Sequence, residues 1–307
     1  MKMVAVWVEV SRSSFYFQFY SRCSIINEHM SKNTTIVKSN GEKEFFDSAK
    51  LVYSLARAGA DKNVVESIVR HIEGELSEDM TTAEIYRHAF ELLRRTEKRV
   101  AVKYSLKRAL LDLGPDGFPF EKFVAEIFKA RGFETLTDQV VQGGCVEHEM
   151  DVVAWNDTEL HMIEAKFHNE PGLKSDLKIA LYIKARFDDL QTVDFSYGGK
   201  MRKLTRGWLF TNTKFTDHAI RYGECKKLSM VGWNYPHEKS LEDMVIEANL
   251  HPLTCLGSLS QSDKKILLKN GLSLCRHVAE RKDELKAFGI DENRIPVVLD
   301  EIASICS

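Results

Sequence analysis

No stretch of this chain stays apolar for the roughly 20 residues that a membrane span requires, so an integral helical membrane protein is not expected. No C-x-x-C pair occurs either. The six cysteines, Cys23, Cys145, Cys225, Cys255, Cys275 and Cys306, are scattered, which argues against a zinc ribbon and suits free thiols in a reducing, cytoplasmic setting. An excess of positive charge is also missing: the net charge is −2, so any nucleic-acid surface has to be local. There is no G-x-x-x-x-G-K-[ST] loop, and a nucleotide site must be of another kind. Residues 1–33 contain apolar runs but few basic residues and no tidy cleavage site, so they do not read as a signal peptide. Met30 opens MSKNTTIVKSNG, which has the look of an ordinary start. The first 33 residues are therefore read as an upstream extension, with an extra strand pair as the alternative. The whole chain, 307 residues at 44% hydrophobic and 29% charged, suits a soluble protein of two or three domains.

The most informative stretch is Glu149 to His168. Met150–Trp155 is apolar except for Asp151, Leu160–Ile163 is apolar except for His161, and Asn156, Asp157, Thr158 and Glu159 are turn residues between them. This predicts a β-hairpin. A four-residue loop pairs Trp155 with Leu160, and counting back sets Asp151 opposite Glu164. Directly opposed carboxylates destabilise a sheet and resist ionising beside each other. A divalent cation removes that conflict. Alternation along the strand places Glu164, Lys166 and His168 on one face, with the ammonium beside the proposed metal. An E-x-K triplet alone is common on protein surfaces. Here the acids are embedded in apolar strands, where charges need partners.

Around the hairpin the chain alternates helices and strands. An amphipathic helix spans Phe120–Arg131, stopped by Gly132, and strand Phe133–Val141 precedes the hairpin. Beyond it come helix Asp176–Leu190, strand Gly207–Asn212, a helix capped by Thr216, and strand Leu228–Trp233. This order predicts an α/β sheet. Lys174, Lys178, Lys184, Arg186, Lys200, Arg202, Lys203 and Arg206 would supply a phosphate track, or else a solvated face. After Pro236 the pattern is helical. Ser260–Lys269, the turn Asn270-Gly271-Leu272 and Ser273–Glu280 are similar to a helix-hairpin-helix, whose turn amides would take a phosphate, with Phe288-Gly289-Ile290 as a second such turn; a packing module is the alternative.

Ahead of the α/β region, Thr34–Lys38 reads as a strand, Ser39-Asn40-Gly41 as a turn, and a short segment ends at Phe46. Helices follow after Asp47 or Ser48, at Val64–Glu75, after Thr81 or Thr82, and over Glu97–Leu113. This stretch resembles the ATP-cone, a nucleotide-binding regulatory domain. The matching residues are Ile36-Val37-Lys38-Ser39-Asn40-Gly41, Phe46-Asp47, Lys50, Thr82, Glu84, Ile85 and Tyr104. Ser39 departs from the family, which has a basic residue there. The resemblance implies an ATP or dATP site at Val37, Lys38, Gly41, Phe46, Lys50, Thr82, Ile85 and Tyr104, with binding but no hydrolysis.

The order helix, strand, strand with an acid, strand with E-x-K resembles the PD-(D/E)XK nuclease superfamily, and its Mrr-like restriction endonuclease branch in particular. Phe120-Glu121 through Gly132-Phe133-Glu134, His148-Glu149-Met150-Asp151-Val152 and Ile163-Glu164-Ala165-Lys166 carry the match. It implies Mg²⁺ held by Asp151, Glu164 and the Ala165 carbonyl, Lys166 acting on the attacking water, and Glu121 as an accessory acid. The expected architecture is multidomain α/β: an extension at 1–33, a mainly helical ATP-cone at 34–113, a mixed sheet flanked by helices at 117–236, and a small helical module at 237–307. The expected function is a DNA endonuclease controlled by a nucleotide effector, through oligomerisation or access to its site, in restriction or repair. A DNA-binding regulator on an inactive nuclease scaffold is the alternative.

Overall fold

The computed structural model describes residues 34–38, 41–114, 118–170 and 172–306. The N-terminal extension, the Ser39-Asn40 part of the first turn and the Pro115–Gly117 part of the linker lie outside the described residues. The chain divides into two compact units between Leu92 and Leu93.

In the first unit, β1 (Thr35–Val37) pairs antiparallel with β2 (Lys43–Phe45). Helix α1 (Ser48–Arg57) is capped by Asp47, whose side chain accepts from the Ala49 amide, and α2 (Lys62–Glu75) is capped by Asp61 in the same way. The short β3 (Met80–Thr81) lies parallel to β1. Helix α3 (Thr82–Thr96), inside which the division falls, begins with a reciprocal cap: Glu84 N–H donates to Thr81 Oγ1, and Thr81 N–H donates to Glu84 Oε2. Ile36, Leu55, Val69, Ile72 and Ile85 form the buried interior of this unit.

In the second unit, α4 (Lys98–Leu111) precedes α5 (Phe118–Ala130), β4 (Glu134–Gln142), β5 (Glu147–Trp155) and β6 (Leu160–Lys166). Then come β7 (Lys174–Ser175), α6 (Leu177–Leu190), the hairpin β8 (Asp194–Tyr197) and β9 (Lys200–Lys203), β10 (Arg206–Thr211), β11 (Lys214–Phe215), α7 (Asp217–Lys226) and β12 (Ser229–Val231). The main sheet has the order β12-β10-β6-β5-β4 and is mixed: β10 runs parallel to β6 and β12, whereas β4, β5 and β6 form an antiparallel meander. This is the mixed, helix-flanked sheet that the sequence predicts. The small strands β7, β8, β9 and β11 are additions that the sequence reading does not contain.

Helices bury both faces of the sheet, α5 foremost on one and α6 on the other. Phe120, Phe123, Val124, Ile127 and Phe128 of α5 pack on Val152, Ala154, Ile163, Ala165 and Phe210. Ala180, Ile183, Phe187 and Leu190 of α6 pack on Met150, Val153, Leu160, Met162 and Leu209. The second contact is close enough to need a glycine: a Cβ at Gly207 would lie 2.3 Å from the Phe187 ring.

Helix α4, grouped by the sequence with the N-terminal domain, is built into this unit. Its Leu106 and Leu110, with Leu113 just beyond it, belong to the same core as α5. Helices α8 (Leu241–Glu247), α9 (Gln261–Lys269), α10 (Cys275–Glu280) and α11 (Ile295–Cys306) complete the chain. Thr254, in a short 3-10 turn of this helical region, donates from Oγ1 to the Ala109 carbonyl at 2.6 Å.

One expectation for the C-terminal module is corrected. The amides of Asn270, Gly271 and Leu272 donate to carbonyls of α9 (Ile266, Leu267 and Leu268). Gly289 and Ile290 N–H likewise donate to Lys286 and Leu285. These turns close the ends of their own preceding segments, so these amides are not available to a phosphate.

Candidate active site and candidate nucleotide site

The β5–β6 hairpin has the register its turn residues predict. Asn156 Oδ1 accepts from the Thr158 and Glu159 amides and fixes a four-residue loop, and Trp155 pairs with Leu160. The ladder runs back to Val152 and Ile163, so Asp151 and Glu164 form the next step, where pairing stops. The backbone is irregular there. On the β4 side, Thr137 pairs with Val152 and Gln139 with Met150, leaving out Asp138, which has φ +59°, and Asp151. Met150 and Val152 therefore enter cores on opposite faces although they are two residues apart.

That break aims Asp151 at β6. Its Oδ2 accepts the Ala165 N–H at 2.6 Å. A second bridge comes from α6, where Arg186 Nη1 lies 2.6 Å from Glu164 Oε2 and Nη2 donates to the Glu149 carbonyl. Strands β5 and β6 thus open as a fork whose prongs are joined by side chains. One turn further along α6, Asp189 accepts from His148 Nε2 at 2.8 Å and from the Cys145 N–H at 2.8 Å, tying down the start of β5.

The structure brings Asp151, Glu164 and Glu121 into one electrostatic cluster. Burial, and then the charge of Asp151, pushes Glu164 up to about 7. Burial, and then Asp151, pushes Glu121 on α5 up to about 7 as well. Asp151 is raised mainly by burial, against the Ala165 amide and Arg186. Lys166 is exposed at the end of β6. His168 is occupied structurally: its Nε2 bonds Ser175 Oγ at 2.9 Å, and burial holds its pKa down.

Arg186 corrects the proposed phosphate track, since it is 8% exposed and turned inward. Lys184 is paired with Asp188, Lys200 with Asp157 at 3.1 Å, and Arg206 lies over the Trp208 ring. Lys174, Lys178 and Lys203 remain exposed. Arg186 is the important residue that sequence reasoning misplaces. Its position among Ile183, Phe187 and Leu190 puts a charge on the apolar stripe of α6, and that is a readable sign of a buried ion pair.

Among the described residues, no group of three or more His, Cys, Asp or Glu side chains is spaced to hold a metal ion. Mg²⁺ does not demand such a cage, since it is bound through one or two carboxylates and keeps several waters. Two acids that resist joint ionisation, beside a strand end, fit that donor chemistry.

In the first unit, Lys38 and Lys50 do converge, but on a carboxylate. Glu44 lies 3.0 Å from Lys38 Nζ and 3.1 Å from Lys50 Nζ, and these bonds hold its pKa down against burial. Gly41 has φ +83°, Phe46 and Ile85 are buried, Val37 ends β1 and Thr82 starts α3. Tyr104 belongs to α4, in the second unit.

Comparison with known proteins follows this division of labour. Residues 115–232 match the family model described as restriction endonuclease, which defines the class of the sheet domain. Residues 34–112 match the ATP cone domain and residues 251–306 the AF1548-like C-terminal model. An uncharacterized protein from Archaeoglobus fulgidus is 37% identical over 186 residues, 59% of this chain and 99% of that protein. The crystal structure of AF1548, a protein of unknown function, is 35% identical, covers 62% of this chain and 98% of its own, and superposes with a TM-score of 0.50. VC1899 from Vibrio cholerae aligns at 16% identity over 65% of this chain and 49% of its own, with a TM-score of 0.28. The chain belongs to the AF1548-like family, here with an ATP-cone in front of the restriction-endonuclease domain. At family level this pairs a nuclease-type domain with a nucleotide-binding regulatory domain.

Proposed function

We propose that the second unit is a Mg²⁺-dependent DNA endonuclease of the Mrr-like type, acting in restriction or DNA repair. The observation that carries this reading is the fork: Asp151 and Glu164 meet where the ladder ends, both raised in pKa by burial and Glu164 also by the charge of Asp151, with Lys166 beyond them. Asp151, Glu164 and the Ala165 carbonyl would hold Mg²⁺. When bound, the cation supplies Lewis-acid polarisation and a more acidic water. Lys166 contributes positive charge where a phosphate gains negative charge in the transition state. Glu121, close to half-protonated near neutral pH, can give or accept a proton beside the pair. Arg186 holds Glu164 in place and limits the repulsion with Asp151.

ATP or dATP bound by the first unit, with Lys38 and Lys50 leaving Glu44 for the phosphates, would regulate the nuclease without being hydrolysed. The test is cleavage of duplex DNA with and without Mg²⁺ by the wild type, Asp151→Ala and Lys166→Ala, each across ATP concentrations. Mg²⁺-dependent cleavage lost in both variants supports the reading, and equal residual cleavage in all three rejects it. A rate unchanged by ATP or dATP removes the regulatory part. The second reading, a nucleotide-responsive DNA-binding regulator, is favoured by one observation: Glu164 already has a cation in Arg186. DNA binding without cleavage at any Mg²⁺ concentration would select it.

A further inference from the structure

A groove of about 560 Å³ runs along the outer edge of β4, between that strand and the β8–β9 hairpin. Its size is that of a small-molecule site. One wall is aromatic: Trp155 and Tyr197 stack with centroids 5.1 Å apart and planes at 27°. Trp155 is 8% exposed, and its Nε1 has no hydrogen-bond partner. Gly198, on the same wall with φ +58°, approaches this nitrogen so closely that a Cβ there would lie 2.8 Å from it.

Acceptors outnumber free donors among the polar groups of the groove. Gln139 Nε2 donates to the Thr137 and Asp138 carbonyls at 2.9 and 3.3 Å, and Gln142 Nε2 donates to the Gly143 carbonyl at 2.9 Å. Gln139 uses both N–H groups on backbone and Gln142 one of its two, and each keeps Oε1. Asp194 adds a carboxylate, which only accepts, and Ser196 a hydroxyl. An aromatic platform rimmed by acceptors suits a flat ring bearing N–H donors. Asp194 disfavours a phosphate inside the groove. The neighbouring β9 carries Lys200, Arg202 and Lys203, so a sugar-phosphate chain is welcome alongside and a cationic peptide is repelled. Gln139 pairs with Met150, the residue before Asp151. The groove therefore starts within a short reach of the acid cluster.

We propose that the groove between β4 and the β8–β9 hairpin is a nucleobase site that selects a base with an exocyclic amino group. In the DNA-cleavage reading, on which its biological use rests, it receives one unstacked base of the substrate near the scissile phosphodiester. Adenine, cytosine and guanine present amino N–H groups to the acceptors, and thymine does not.

The test is carried out on the full chain without Mg²⁺, so that no DNA is cut. Single-stranded oligonucleotides with a central adenine, cytosine, guanine or thymine compete against one carrying 2-aminopurine, whose fluorescence is quenched on stacking. The amino-bearing bases should compete at least about 5-fold better than thymine, the lower end of what one specific base contact discriminates. Tyr197→Ala should weaken binding by about 5-fold or more through lost stacking. Asp194→Asn, at an exposed position that leaves the fold intact, should remove most of the amino preference. Free adenosine and thymidine, followed by tryptophan fluorescence, separate a site for nucleosides from one that needs the DNA chain. Equal competition by all four bases, unaltered by either variant, overturns the proposal, and so does displacement by a trimethyl-lysine peptide. Base selectivity in a protein that never cleaves DNA would retain the site and reject the nuclease reading.

Discussion

The two units solve the same electrostatic problem in opposite ways. In the first, Glu44 sits near the surface between Lys50 and Lys38, the latter shared with Glu42, and the two cations hold it ionised. In the second, Asp151, Glu164 and Glu121 are withdrawn from water with one buried cation, Arg186, and burial pushes both glutamates up to about 7. Residue types alone do not separate the two cases. The depth of burial and the crowding of like charges do: a near-surface acid flanked by cations has no call for a metal, and a crowded buried set of acids does.

The largest expected effect lies in the buried cluster. Asp151→Ala should lower the single-turnover cleavage rate by about 10²- to 10³-fold, the usual cost of losing one preorganised electrostatic group. The matched change Glu44→Ala should leave the ATP-saturated rate within a few-fold, and similar losses from both would dissolve the contrast. Next is Arg186→Ala, which leaves Glu164 without its cation. About 3 kcal/mol of unfolding free energy should disappear at pH 8 by urea titration, as for other broken buried pairs. At pH 5, where Glu164 is already protonated, the loss should be smaller.

The pH dependence follows from the direction of the shifts. Glu164 and Glu121 have folded pKa values near 7, above the ordinary 4.5, so the folded state holds more protons than the unfolded one between those limits. Stability therefore falls as pH rises from about 4.5 through 7. Glu164→Gln should blunt that fall, and millimolar Mg²⁺ should raise Tm by a few degrees at pH 8 and hardly at all at pH 5, by scanning calorimetry. A Mg²⁺ shift of the same size at both pH values would contradict a carboxylate site. The smallest effect belongs to the exposed cluster. Glu44→Gln should change stability by less than about 1 kcal/mol while strengthening ATP binding several-fold in a calorimetric titration, because the lysines no longer have to leave a carboxylate.

The hairpin was legible because its determinants are local. Asn156 to Glu159 define the loop, and the apolar alternation on either side permits one register. The helices on the two faces were legible for the same reason. What the pattern could not convey was the break at Asp138 and Asp151, since a strand irregularity depends on both neighbours. Glu44 was invisible as a partner of Lys38 and Lys50, because a pairing across a turn and a helix start has no periodic trace. The β8–β9 hairpin did leave a sign, Gly198-Gly199 between short alternating runs, a two-residue turn signal masked by the basic charges around it.

The position of α4 has a practical meaning for how this protein is built from parts. The ATP-cone match ends at residue 112, yet Leu106 and Leu110 sit in the interior of the second unit and Ala109 is gripped by Thr254. A boundary drawn from sequence at Gly117 would strip a helix from the hydrophobic interior and leave the Leu253–Cys255 turn and helices α8 and α11 without a neighbour. A fragment beginning at Leu93 keeps that interior whole. A regulatory cassette cut at residue 112 would carry away a helix that its neighbour has taken into its own core.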